Sequence, residues 1–282
     1  MIKFADIHST PLVRKMWKTV FGDSDQYIDL YFDRKYIPQN TLVYFVDGEA
    51  AASLQMLPYT IRFYGRLIPF YYLSGLCTLP EHRRKGYMEQ LIFEAHHVMR
   101  QRAIPLSILV PAEEWLFGFY EQYQYQQVFK QGTEIIPLKS ILQDHPDLKE
   151  AYIAFDQLQQ HDFCVYKSFD DFSVIVQEYI DDGCPDKYNL AAMARIIDVK
   201  ELLSLYAKAN IDKSFVIAVD KKDIYKIDKG GCYSCKKDVI PDLDVDTKML
   251  CRLLFGYCTG ELGSSIQALF PVQYPAINLM LE

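Results

Sequence analysis

A short basic loop is the part of this sequence best suited to chemistry. From Leu79 the chain reads Leu-Pro-Glu-His-Arg-Arg-Lys-Gly-Tyr-Met, between a predicted strand and a predicted amphipathic helix. Such a loop presents backbone N–H groups at the positive end of a helix dipole, where a phosphate binds well. Gly86 would let the backbone approach a pyrophosphate closely. Arg83, Arg84 and Lys85 would add positive charge.

The loop differs from the two common phosphate-binding motifs. It has no Walker lysine–hydroxyl pair and no Gly-x-Gly-x-x-Gly pattern, so it is neither a P-loop nor a dinucleotide site. The alternative to a phosphate site is a basic loop that only caps a helix.

The elements that must hold this loop follow from the spacing of apolar residues. Two helices are predicted before residue 40, the first capped by Ser9 and ended by Gly22. Strands are predicted over residues 41–46, 50–57, 59–64, 67–79, 105–111 and 127–138. Asp47-Gly48 marks a hairpin turn. The order of elements predicts an α/β (α+β) fold in which a mixed central sheet is flanked by helices.

The remainder of the chain suggests a linker and a second, smaller α/β unit. A length of 282 residues corresponds to about two domains of typical size. From about residue 190 the pattern predicts a helix, a hairpin and a further helix closed by Gly256. We therefore expect a first domain over residues 1–138, a helical linker over 139–190 and a second domain over 191–282.

Composition and charge narrow the class of protein. The chain is 50% hydrophobic and 24% charged, as expected for a folded protein. Its net charge of −7 argues against a nucleic-acid partner and mildly favours cationic substrates. Neither an export signal nor a stretch of about 18 apolar residues is seen, so we expect no membrane partner.

The seven cysteines are scattered. Without an export signal, they point to reduced thiols in the cytoplasm. Cys232-x-x-Cys235 has no second pair at zinc-like spacing, so no metal site is expected. The many tyrosines and phenylalanines would suit an interface between copies of the chain.

The segment Arg-x-x-Gly-x-Met from Arg83 to Met88 resembles the acetyl-CoA-binding motif of the GNAT acetyltransferases. The run Pro-x-His-Arg-Arg-x-Gly resembles their Eis-type (enhanced intracellular survival) branch. Met88 stands where most of the family has a small residue. The resemblance implies that backbone groups of residues 76–79 hold the pantetheine arm of acetyl-CoA and that amides of residues 83–88 hold its pyrophosphate. The cofactor-binding residues would be Leu76, Cys77, Thr78, Leu79, Arg83, Arg84, Lys85, Gly86, Tyr87 and Met88.

A second segment, Phe-Tyr-Glu-Gln-Tyr-Gln-Tyr from residue 119, resembles the family's segment near the thiol of the cofactor. Gln124 replaces its usual glycine. The resemblance implies that Tyr120 is a general acid, because a neutral phenol can protonate the thiolate as the tetrahedral intermediate collapses. The alternative is a tyrosine packed in an aromatic cluster. Glu113 and Glu114, just before this segment, can attract a cationic amine or simply face the helix dipole.

Residues 191–282 resemble the C-terminal domain of Eis-type proteins, which is similar to sterol carrier proteins. In that branch the terminal carboxylate reaches the acetyltransferase site. The resemblance therefore implies that Glu282, through its α-carboxylate or its side chain, acts near Tyr120 as a base or an orienting group. A frayed terminus is the alternative.

These observations predict an acetyl-CoA-dependent N-acetyltransferase without a metal, acting on a primary amine of a small molecule or peptide. A non-catalytic acyl-CoA-binding or lipid-binding protein is the main alternative, and a scaffold without either activity is the second. Affinity for acetyl-CoA and turnover of amines would separate the three.

Overall fold

Two sheets organise the protein. The computed structural model describes residues 1–236 and 238–280. The larger sheet contains β1 (Ile2–Phe4), β2 (Thr41–Val46), β3 (Glu49–Phe63), β4 (Arg66–Thr78), β5 (Leu106–Leu109), β6 (Gln126–Phe129), β7 (Val165–Tyr166) and β8 (Ala192–Ile196). Its strand order is β1-β2-β3-β4-β5-β8-β6, and β7 pairs with the far end of β3. Because β4 and β5 are parallel and the other pairs antiparallel, the sheet is mixed, as predicted.

Seven α-helices lie between β1 and β8 in the chain, of which the first four pack against this sheet and the last three share a cluster of their own. They are α1 (Thr10–Phe21), α2 (Asp25–Arg34), α3 (Tyr87–Gln101), α4 (Glu114–Glu121), α5 (Leu138–Asp144), α6 (Leu148–Leu158) and α7 (Phe169–Asp181). The predicted end of α1 is confirmed, since Gly22 closes it with φ +76°. Ser24 begins α2 by accepting a hydrogen bond from the Tyr27 N–H. None of the described helices is long and apolar enough to cross a bilayer.

Strand β3 runs straight through Pro58, where the sequence pattern predicts a break between two strands. Proline has no N–H to donate, so it is tolerated where one strand edge is unpaired. Pro58 faces Tyr71 of β4 on one side. On its other side, Gln55 pairs with Thr41, the first residue of β2, and Thr60 pairs with Tyr166, the last residue of β7, so Pro58 lies between these two pairings.

The strands at the end of the expected first domain differ most from those that the sequence predicts. Strand β6 stops at Phe129 instead of continuing to residue 138. Strand β8 lies at the start of the segment expected to form the second domain, yet it pairs between β5 and β6 in the first sheet. Local patterns do not predict this pairing, because 62 residues separate the end of β6 from the start of β8, which pairs with the otherwise open edge of β5.

The smaller sheet has the order β11-β10-β9-β12. Its strands are β9 (Phe215–Val219), β10 (Asp223–Asp228), β11 (Gly231–Ser234) and β12 (Leu243–Val245), and α8 (Val199–Ala209), α9 (Thr247–Leu254) and α10 (Ser264–Leu269) accompany them. The predicted hairpin of β9 and β10 is present. A single apolar cluster joins the two sheets, and Phe63 contacts Phe255 within it at 5.3 Å between ring centroids.

Candidate active site

The candidate site begins where β4 and β5 separate. These parallel strands pair only at Tyr71 with Ser107 and at Tyr72 with Ile108. Beyond Tyr72, β4 continues to Thr78, whereas β5 ends at Leu109. The second half of β4 therefore presents a backbone edge to a cleft instead of to a neighbouring strand.

A bulge in β4 shapes the floor of this cleft. Two residues of β4, Gly75 and Leu76, lie opposite the single residue Leu54 of β3, because Gln55 pairs with Ser74 and Ser53 with Cys77. Gly75 has φ +59°, and a Cβ on it would lie 2.5 Å from Trp17 Cζ3. Only glycine permits this close approach of the Trp17 ring to the backbone.

The bulge also determines how the thiol of Cys77 is placed. Cys77 is buried in the apolar cluster that contains Val13 and Met16, and its sulfur lies 3.2 Å from Ser53 Oγ. Burial raises the pKa of the Cys77 thiol to about 11, so it is uncharged near neutral pH. Because this side chain points into the core, only the backbone of Cys77 is available to a ligand in the cleft.

The basic loop lies between the end of β4 and the start of α3. A 3₁₀ turn over Pro80–His82 leads into the exposed residues Arg83, Arg84 and Lys85. Arg84 has φ +63° and Gly86 has φ +76°. Arg83 Nε donates to the Thr78 carbonyl at 3.2 Å, which ties the loop to β4.

The start of α3 has the features of an anion site. Gly86 is its N-cap and, in the described chain, gives it no side-chain hydrogen bond. The first-turn amides are thus left for a ligand, at the positive end of a helix of 15 residues. A Cβ on Gly86 would meet only the Glu89 carboxylate, at 3.7 Å. Met88 turns its half-buried side chain into the apolar cluster beneath α3, away from these amides.

Tyr120 lies on α4 and lines a cavity of about 280 Å³ that opens from the cleft. Its ring is buried, with 7% of its surface exposed. Burial raises the pKa of the Tyr120 phenol, and the neighbouring Tyr123 adds to the shift. Tyr120 is therefore protonated over the whole physiological range. Leu76 of the β4 bulge lines the same cavity, so the structure brings two of the predicted site residues together.

The segment that carries Tyr120 is fixed by a buried hydrogen-bonded group. The Tyr125 hydroxyl lies 2.7 Å from Ser107 Oγ and 3.1 Å from His96 Nε2. Burial lowers the pKa of His96 to about 2, so this imidazole is neutral. Gln124 has φ +68°, so the turn adopts the left-handed conformation typical of the glycine found in the family.

Two other predicted carboxylates, Glu113 and Glu114, lie away from the cavity lining. Glu113 and Glu114 are exposed at the start of α4. Glu113 accepts a hydrogen bond from Trp115 Nε1 at 2.7 Å. Glu282 lies outside the described residues.

Sequence reasoning missed the residues that close the cavity from the α1 side. These are Trp17, Phe21 and Asp23. Trp17 Nε1 donates to Asp23 Oδ2 at 2.6 Å. The Gly22 stop signal and the Ser24 cap mark a turn here, but they do not indicate which part of the sheet that turn faces.

Comparison with known proteins agrees with this geometry. Residues 2–128 match a family model described as an acetyltransferase (GNAT) domain. No curated protein is significantly similar in sequence.

Several solved structures share the fold over almost the whole chain. A GCN5-related N-acetyltransferase from Anabaena variabilis ATCC 29413 aligns with a TM-score of 0.70 at 14% identity, covering 96% of each chain. A probable N-acyltransferase from Enterococcus faecalis V583 aligns at 0.65 and 12%, covering 98% of this chain and 97% of the other. Eis1 from Mycobacterium abscessus aligns at 0.60 and 12%, covering 91% and 90%.

The family match and the shared fold define the class of protein. Residues 2–128 are similar to the GNAT acetyltransferase domain, and the fold of the chain is that of N-acetyltransferases. The matched domain supports an acyltransferase activity. In the part of the chain that the structure describes, no group of three or more His, Cys, Asp or Glu side chains is arranged to hold a metal ion.

Proposed function

We propose that the protein transfers the acetyl group of acetyl-CoA directly to a primary amine. One observation carries this proposal. The cleft between β4 and β5 has the basic loop at the far end of β4, whereas the Tyr120 side chain and the Leu76 bulge line one cavity within it. A donor with a phosphate end and a thioester end would fit this arrangement.

The donor would bind mainly to the backbone. The free edge of residues 76–79 supports a site for the pantetheine arm, whose amides can pair with it as a strand would. The exposed first-turn amides of α3 and the side chains of Arg83, Arg84 and Lys85 support a site for the pyrophosphate. The amides at the β4 bulge would polarise the thioester carbonyl.

Tyr120 would be the general acid. During transfer the amine nitrogen forms a bond to the acetyl carbon, and the carbon–sulfur bond breaks. The departing thiolate takes a proton from the phenol, while the amine loses one to a base. The raised pKa of Tyr120 supports this role because it keeps the phenol loaded with its proton. Holding both reactants in one cleft would supply much of the rate.

Glu282 would supply the carboxylate that accepts or orients the amine proton, through its side chain or, where it ends the chain, its α-carboxylate. Met280, the last described residue, is buried, with its sulfur 3.2 Å from Lys167 Nζ. Lys167 faces the ring of Tyr59, which lies 6.2 Å from Tyr72 in the cavity lining. A chain of contacts thus links the last described residue to a tyrosine of the cavity wall, and this supports the proposal.

Removal of Glu282 tests that role. A chain without Glu282 should keep its affinity for acetyl-CoA and lose turnover, and Glu282→Gln separates the side chain from the α-carboxylate. Unchanged turnover in the deleted and correctly folded chain would disprove it.

We further propose that the chain is of the Eis-type branch, with a sterol-carrier-like unit in its C-terminal third. The shared fold with Eis1 over 91% of the chain supports this. We propose that the chain divides into a first domain over residues 1–138, a linker over 139–190 and a second domain over 191–282. Strand β8 would then be the strand that the last segment contributes to the first sheet. All seven cysteines are described and are free thiols, which supports a cytoplasmic location.

The decisive experiment measures binding and turnover together. Acetyl-CoA is titrated into the protein by calorimetry, and release of the CoA thiol is followed with a panel of primary amines. Micromolar affinity with amine-dependent release supports the enzyme. Affinity without release from any amine would favour a non-catalytic acyl-CoA-binding protein. No affinity in folded protein would exclude the donor site and leave lipid binding or a scaffold role.

A further inference from the structure

We infer that Asp23 binds an ammonium group of the acceptor, and that the preferred acceptor is a short aliphatic diamine. This inference rests on the proposed amine acetyltransferase activity and deepens it. Asp23 would hold the charged nitrogen at one side of the cavity, while the second, neutral nitrogen attacks the thioester near Tyr120.

The cavity lining supports a cationic ligand with an apolar body. Among the described residues that line it, Asp23 alone carries a carboxylate. The walls are otherwise mostly apolar, with Phe21, Val110 and Leu116 facing the same space. Apolar walls suit a methylene chain, and a carboxylate at one end suits an ammonium group.

Asp23 is held in place by the ends of two helices. Gly22 closes α1 and Ser24 caps α2, so the residue between them has little freedom. Trp17 Nε1 binds Oδ2 of Asp23 at 2.6 Å. The described residues offer no donor to its other oxygen, Oδ1, which is left to receive an ammonium group.

The nearest lysine does not neutralise this carboxylate. Lys18 Nζ donates to the backbone oxygen of Asp23 at 2.8 Å and pairs with the carboxylate of Asp25 at 2.9 Å. The positive charge of Lys18 is therefore directed to Asp25, on the outer side of the turn.

The protonation states needed for binding and for attack favour an acceptor with two nitrogens over an acceptor with one. A carboxylate stabilises the protonated form of an amine that it contacts, but only a neutral amine can attack the thioester. One nitrogen cannot satisfy both requirements well, whereas a diamine separates them. A volume of about 280 Å³ is at the lower end of ligand pockets, which typically enclose about 300–1,000 Å³. The cavity therefore suits a small diamine.

The test compares 1,4-diaminobutane with butylamine as acceptors for the wild type, Asp23→Asn and Asp33→Asn. Asparagine keeps an acceptor for Trp17 Nε1 and removes only the charge. Asp33 is the matched control, because it lies on α2, is exposed and does not line the cavity. Acetyl-CoA affinity is measured for all three proteins.

We expect Asp23→Asn to raise the KM for diaminobutane about 10- to 100-fold, the range for losing a hydrogen bond to a charged group. The loss with butylamine should be clearly smaller than the loss with diaminobutane, and the acetyl-CoA affinity should stay within about twofold of the wild type, as should all values for Asp33→Asn. Binding of diaminobutane to the CoA-loaded protein, followed by calorimetry, should weaken by the same factor.

Two results would overturn the assignment of Asp23. The first is an equal loss with both amines, which means that Asp23 only maintains the turn. The second is no change with either amine. If the wild type binds acetyl-CoA but acetylates no amine, the proposed function itself fails, and the acetyl-CoA affinities of the three proteins distinguish that outcome from the other two.

Discussion

The loop proposed to bind the donor and the cavity proposed to bind the acceptor are built in opposite ways; they are called the donor loop and the acceptor cavity below. The loop over residues 79–88 is one continuous, mostly exposed stretch that offers backbone amides and exposed basic side chains. The cavity is assembled from four separate segments, contributed by the end of α1, the bulge of β4, the chain after β5 and helix α4. Its character comes from side chains, above all Trp17, Asp23 and Tyr120.

This contrast shows why the two sites differ in what they recognise. Every acetyl-CoA has the same pyrophosphate, so a local backbone motif suffices to bind it. An acceptor is distinguished by its shape and charge, which only side chains on several elements can match. A change in the loop should therefore abolish donor binding, and a change in the cavity should alter the acceptor step and leave donor binding intact.

The largest effect is expected for Gly86→Asp. The new carboxylate would stand beside the pyrophosphate, and repulsion at close range should weaken acetyl-CoA binding by about 100-fold or more. Gly48→Asp is the matched control, because Gly48 also has a positive φ and open space around it but lies in the β2–β3 turn. Calorimetric titration measures both. Equal affinities of the two variants would place the phosphate site elsewhere.

A slightly smaller effect, on turnover, is expected for Tyr120→Phe in the acceptor cavity. Loss of the acid should lower kcat about 100-fold with little change in acetyl-CoA affinity. Because burial raises the pKa of Tyr120, the phenol stays protonated as the pH rises. The wild-type rate should therefore show no loss between pH 8 and 10 that is due to this group.

Tyr123→Phe serves as the control, since Tyr123 neighbours Phe119 in the same aromatic cluster. A Tyr120→Phe enzyme as active as Tyr123→Phe would reduce Tyr120 to a packing role. Steady-state kinetics from pH 6 to pH 10 give both readouts.

Gly75→Ala tests the contact between the β4 bulge and the Trp17 ring in the cavity lining. The added methyl group would press on the Trp17 ring, and overpacking of this kind costs about 1–3 kcal/mol of unfolding free energy. Displacement of Trp17 should also raise the KM for the amine more than that for acetyl-CoA. Gly65→Ala, at a positive φ with open space, should show only the backbone cost of about 1 kcal/mol. Urea unfolding and kinetics of the two variants would show whether the contact matters.

The last prediction concerns the buried group of Tyr125, Ser107 and His96 behind Tyr120, and it affects stability and not catalysis. In the folded protein the pKa of His96 is lowered from 6.5 to about 2, so below pH 6.5 only the unfolded chain takes up this proton. The free energy of unfolding should then fall by up to about 1.4 kcal/mol per pH unit from this group. The loss begins near pH 6.5 and continues as the pH falls towards 2.

His96→Gln should remove that part of the acid sensitivity, and the exposed His97→Gln should not. Urea unfolding at pH 7.5 and pH 5.0 measures the difference. The same pH dependence in His96→Gln and the wild type would mean that His96 is protonated in the fold.

Local patterns predicted much of the fold and about half of the candidate site. The cap at Ser24, the stop at Gly22 and the hairpin turn at Asp47-Gly48 are signals within a few residues, and each is present in the structure. The donor loop is local in the same sense, so its strand, its glycine and its helix were all identified. The continuous strand through Pro58 was missed, because its tolerance depends on which neighbouring strands end there.

What the sequence determined by itself is the chemistry of contiguous segments: a strand, a basic loop and a helix that together offer amides and positive charge. Only the tertiary structure decided that β8 completes the first sheet, that the bulge at Gly75 meets Trp17, and that Asp23 shares a cavity with Tyr120. The physical reason is the separation along the chain of the residues that interact. Hydrogen-bonded turns and helix ends depend on neighbouring residues, whereas a cavity depends on the packing of segments almost 100 positions apart, which no local pattern encodes.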